Sequence, residues 1–128
     1  MTPEQIFYTA LDGVLAQGGP SRKANSGCRY RGPGGRKCPV GHLIDDATAS
    51  IWDGYVLSKI GDILESSAAS ARFRVQPWML ANKDLLVVIQ KHHDWWFISD
   101  AAHYRRDFEA RMAETAIKFN IGPRPVSA

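Results

Sequence analysis

Two cysteines in 128 residues are too few for a disulfide scaffold. No apolar run approaches the roughly 18–20 residues that a membrane span needs, and no basic region leads into an apolar stretch at the N-terminus. Reduced thiols and a cytoplasmic location are therefore expected. The common reaction signatures are missing as well: there is no Gly-x-Ser-x-Gly, His-Glu-x-x-His or Cys-x-x-Cys. Gly32-Pro33-Gly34-Gly35 is followed by no Lys-Ser pair and no helix start, which separates it from phosphate-binding and dinucleotide-binding loops. No internal repeat or low-complexity block appears. With 45% hydrophobic and 23% charged residues the chain can nevertheless bury a core, and its length fits one domain. We expect a globular unit over 1–122 and a flexible C-terminal tail over 123–128.

One absence is local. Between Arg22 and Lys37 stand six basic residues and no acidic one, whereas Asp45, Asp46, Asp53, Asp62 and Glu65 follow against Lys59 alone. The net charge of +3 and pI near 9.0 are mild, so the distribution matters more than the sum. A basic segment beside an acidic one can raise the encounter rate with charged protein surfaces or nucleic acid. A solvated loop would carry the same charges without any partner.

Thr2-Pro3-Glu4-Gln5 reads as a capped helix start, and Ile6, Phe7, Ala10, Leu11, Val14 and Leu15 recur at helical spacing until Gly18-Gly19-Pro20. Cys28-Arg29-Tyr30-Arg31 and Arg36-Lys37-Cys38 flank the Gly-Pro-Gly-Gly reversal, which predicts a short β-hairpin ended by Pro39. Asp45 or Asp46 can cap a helix over Ala47 to Trp52. A further helix is expected from Tyr55 to Leu64, a short strand where Phe73 and Val75 alternate with arginines, and a helix running from Pro77 to His93. The last helix begins near Ser99 or Asp100, with Tyr104, Phe108, Met112, Ala116 and Phe119 as its core stripe. The expected fold class is α+β: about four helices with a short β-hairpin after the first.

Few residues carry candidate chemistry. Cys28, Cys38 and His42 offer thiolate and imidazole ligands, but nine residues separate the cysteines and no fourth ligand is obvious, so they are weak zinc candidates. In His92-His93-Asp94-Trp95-Trp96 the adjacent histidines diverge by about 100° on a helix, which places His93 in the core stripe and His92 toward water. Asp45 and Asp46 read as helix caps before they read as an acid pair. No cofactor is expected and no catalytic residue is assigned. The candidate binding residues are Arg29, Tyr30, Arg31, Arg36 and Lys37 on the basic segment, and Trp95 and Trp96 as aromatic anchors.

The run from Cys28 through Cys38 to Ile44, read as Cys-x-Tyr-Arg-Gly-Pro-x-Gly-x-Lys-Cys-x-Val-Gly-x-Leu-Ile, resembles a segment of small proteins of tailed phages and prophages. The opening helix, the acidic segment after Ile44 and the leucine-rich helix ending in His93-Asp94 are similar too. The stretch around Ser66 to Trp78 and Trp95-Trp96-Phe97 depart from that pattern. The resemblance implies the cytoplasm of a bacterial host cell and no catalytic site. It implies an anti-defence, anti-CRISPR-like protein that inhibits or modulates a host or defence protein or ribonucleoprotein complex. A nucleic-acid-binding module using the same cations is the alternative, and a zinc-binding protein or metal-assisted enzyme is the third reading.

Overall fold

In a computed structural model, which describes residues 1–18, 30–54, 60–65, 73–94 and 101–126, the chain folds as helices around one core. Helix α1 covers Pro3–Gln17. The Thr2 hydroxyl accepts from Gln5 N while the Gln5 side chain accepts from Thr2 N, the expected capping box. Gly18 ends the helix in the left-handed region at φ 82°. Ile6, Phe7, Ala10 and Val14 form its buried stripe.

Helix α2 spans Asp46–Asp53, and the Asp45 carboxylate caps it by accepting from Thr48 N at 2.7 Å. The Thr48 side chain, and then this backbone bond, hold the Asp45 carboxyl below the ordinary aspartate range, with Arg74 and Arg31 adding smaller contributions. Helix α3 (Ile60–Glu65) fills the second part of the helix expected over 55–64; Tyr55 and Val56 lie outside the described residues.

The helix expected from Pro77 to His93 is two helices, α4 (Pro77–Ala81) and α5 (Lys83–Asp94). Asn82 breaks it: its backbone leaves helical values at φ −116°, its side chain donates back to Trp78 O, and its own carbonyl starts α5 by accepting from Leu86 N. Helix α5 is central, contacting α1, α3, α4 and helix α6 (Ala101–Lys118). Leu86 and Ile89 on α5 belong to one buried core with Ile6, Ile63, Trp52, Phe108 and Met112, all fully buried. No described helix is long and apolar enough to cross a membrane.

The chain is helical rather than α+β, and the described residues contain no β-strand. The expected hairpin is absent because the flanks of its turn bond to side chains instead of to each other. Tyr30 N and Arg31 N donate to the two oxygens of Asp53, and Lys37 N donates to Gln17 Oε1. Among the described residues one backbone bond joins the two flanks, Gly32 N to Arg36 O at 2.7 Å, and it brackets a 3-10 turn at Pro33–Gly35. A second 3-10 turn, Val40–Leu43, follows at Pro39. The strand expected around Phe73 and Val75 also fails, since Arg74 sits at φ 57° and Phe73 O accepts from the Trp52 indole at 2.5 Å.

Helix α6 ends as Asn120 takes a left-handed conformation and Ile121 N reaches back to Ala116 O. The chain then crosses α1. Gly122 N donates to Glu4, Tyr8 OH donates to Gly122 O, and the Arg124 guanidinium lies over the Tyr8 ring and pairs with Asp12.

Candidate functional site: an anchored cationic loop

The segment from Tyr30 to Ile44 concentrates the motif residues, and its geometry divides them into two groups. Tyr30 and Arg31 face inward. The Tyr30 ring is 4% exposed and meets Trp52 edge-on at 5.2 Å. The Arg31 guanidinium reaches Gly41 O at 2.6 Å, Ile44 O at 2.8 Å, Tyr30 O at 3.0 Å and Asp46 Oδ1 at 2.9 Å. A planar fork of five donors suits this arrangement, because it can serve several carbonyls of a folded-back chain at once. Arg31 therefore ties 41–46 to the base of the loop.

The other flank is tied to α1. Gln17, in the last turn of that helix, accepts from Lys37 N at 2.8 Å and donates to Lys37 O at 2.6 Å. Its Oε1 also lies 3.0 Å from His42 Nε2. The His42 ring lies so close to α1 that a Cβ added at Gly13 would come within 2.5 Å of it. Gly41 is equally constrained, since a Cβ there would stand 2.4 Å from Tyr30 O. Cys38 is buried, and its Sγ accepts from Gly41 N at 3.3 Å.

Between these anchors the tip stands clear. Gly34 and Gly35 have φ of 70° and 75°, values that favour glycine, and both are exposed with nothing within 4 Å of an added Cβ. Arg36 is exposed beside them. Of the candidate binding residues, then, Arg36 remains at the tip, Lys37 is half-buried on the flank tied to Gln17, and Tyr30 and Arg31 belong to its foundation. Arg29, Trp95 and Trp96 lie outside the described residues.

Two of the three weak zinc candidates lie among the described residues. His42 faces Gln17, Cys38 faces the Gly41 amide, and Cys28 lies outside the described residues. Among the described residues no three His, Cys, Asp or Glu side chains come together as a metal site. His92 turns toward α6 instead of water. Its Nε2 lies 2.6 Å from Thr115 Oγ1, whose own proton goes to Arg111 O, so the imidazole donates to the hydroxyl. Burial pushes the His92 pKa below its usual value; Arg111 and Lys118 push the same way and Glu114 opposes them.

A shallow groove of about 470 Å³ runs between α3, α5 and the end of α6, over Gly61, Val87, Val88 and Phe119. Its Lys83 is paired with Glu65 at 3.0 Å, and its described lining holds no Ser, Thr, Cys or His. Sequence reading missed Gln17, Asp53, Gly13 and Gly41 as parts of the loop's support. Nothing in local spacing marks them, since Gln17 and Asp53 act across 20 and 23 residues. Compared with protein-family models, curated proteins and solved structures, the chain matches none of them.

Proposed function

We propose that this chain is a small binding protein of the phage type that inhibits or modulates a host or defence macromolecular complex in the bacterial cytoplasm, in the manner of an anti-CRISPR protein. The loop tip at 34–36 is its contact element. The observation that supports this reading is the contrast between foundation and tip. Both flanks of a surface loop are held by side chains from α1 and α2, while between them Arg36 is exposed and a Cβ added at either glycine would meet nothing within 4 Å. A loop ordered before binding loses little conformational freedom when it meets a partner, which is how rigid loops gain affinity.

The nucleic-acid alternative loses two of its residues, because Tyr30 is buried and Arg31 is bonded inward. A duplex-binding surface typically neutralises about 6–10 phosphates, and the described part of the loop offers Arg36 and the half-buried Lys37. The test is a tagged pull-down from bacterial lysate, with and without nuclease, using the natural chain and Arg36→Glu. A discrete nuclease-resistant partner that is lost with Arg36→Glu supports the proposal. A partner set that nuclease removes, or one that Arg36→Glu leaves intact, overturns it.

A further inference from the structure

Resting on the reading of the loop as a contact element, we infer that its tip recognises carboxylates on a protein partner, with the Arg36 guanidinium as the gripping group. Three features of the tip point to this chemistry. First, Arg36 is exposed and no acidic side chain among the described residues pairs with it, unlike Arg31, Lys83, Arg105 and Arg124, each of which has an acidic partner. A guanidinium left open in this way can take a carboxylate through two parallel N–H donors.

Second, the tip is narrow. Gly34 and Gly35 carry no side chains, and the directions a Cβ would take from them are open. The backbone at the tip can therefore approach a protein surface closely, as glycine allows. Third, the adjoining chain carries its own acids: Asp45 and Asp46 are exposed at the start of α2. Phosphate recognition gains from a broad cationic surface, and the described surface around this loop is mixed in sign.

The experiment uses the full chain labelled with ¹⁵N, titrated at one ionic strength with poly-L-glutamate as the carboxylate probe and with twelve-nucleotide oligo-dT as the phosphate probe. The Gly34, Gly35 and Arg36 amides and the Arg36 Nε–H should shift with polyglutamate. Arg36→Gln should weaken the apparent affinity at these signals by at least about tenfold, and Arg36→Lys by less, since a charge is retained but the fork is lost. An unchanged remainder of the Arg36→Gln spectrum verifies its fold. No shift at 34–36 with polyglutamate, or a larger one with oligo-dT, overturns the inference. If the polyglutamate response fails while Arg36→Glu still abolishes capture from lysate, only the partner's chemistry has been misread. If Arg36→Glu leaves capture intact, the contact element itself is wrong.

Discussion

Arg31 offers the sharpest test of the division between foundation and tip, because as a contact residue it would be expendable for folding and as an anchor it is not. Replacing it with Met keeps most of the aliphatic stem and removes the guanidinium, so lost packing contributes little. The bond to Tyr30 O is local, which leaves Gly41 O and Ile44 O as the contacts that hold distant chain. A hydrogen bond from a charged donor contributes about 1.5–3 kcal/mol. With the Arg31 side chain 24% exposed, the freed carbonyls gain some water, so the lower end applies and the two together come to about 3 kcal/mol. The Asp46 carboxylate is 92% exposed, and its ion pair adds only about 0–1 kcal/mol. Arg31→Met is thus expected to cost about 3–4 kcal/mol and Asp46→Ala no more than about 1. Equilibrium urea denaturation followed by tryptophan fluorescence and far-UV circular dichroism reads both. At a slope near 2 kcal/mol per molar urea, Arg31→Met should lower the midpoint by roughly 1.5–2 M. A shift no larger than that of Asp46→Ala would refute the claim that the guanidinium holds the loop through its carbonyl contacts.

Gly41→Ala should lose about 1–3 kcal/mol, since its new methyl would meet the Tyr30 carbonyl at 2.4 Å, whereas Gly122→Ala, with ordinary contacts near 3.8 Å, should stay near the natural melting temperature. Equal melting temperatures for the two variants would contradict that close approach. Trp52→Phe leaves the Phe73 carbonyl without its indole donor in a buried setting, a loss of about 1–3 kcal/mol measurable as a reduced urea midpoint. His92 supplies a pH dependence. Its folded pKa lies below the ordinary value of 6.5, so the unfolded chain binds the proton more readily. The stability it contributes is complete above pH 6.5 and declines as pH falls from there through the folded pKa; His92→Gln should flatten that part of the profile, and an unchanged profile would count against the buried His92–Thr115 contact.

Local chemistry written into consecutive residues was readable without a structure. Thr2, Pro3 and Gln5 specify the start of α1 by a capping box, Asp45 caps α2, and the four-residue recurrence of Tyr104, Phe108 and Met112 marks the buried face of α6. Each depends on neighbours within about one helical turn, so the spacing carries the information. The single helix expected across Asn82 shows the limit even here. An apolar period can persist through a break, and the break depended on one amide bonding back to Trp78 O.

What decided the rest was tertiary. Arg29-Tyr30-Arg31 and Arg36-Lys37 around Gly-Pro-Gly-Gly satisfy the local rules for a hairpin, yet Asp53 and Gln17 take the amides that a ladder would have used. Backbone groups accept whichever partner the fold brings within reach, and a strand pairing is only one way to satisfy them. The same placement turned Arg31 onto the backbone of 41–44 and left Arg36 exposed, though both are arginines five positions apart in one basic run. Charge and turn propensity are properties of the sequence; which cation is spent on the fold and which is free to meet a partner depends on where α1, α2 and the Gly41 backbone come to rest.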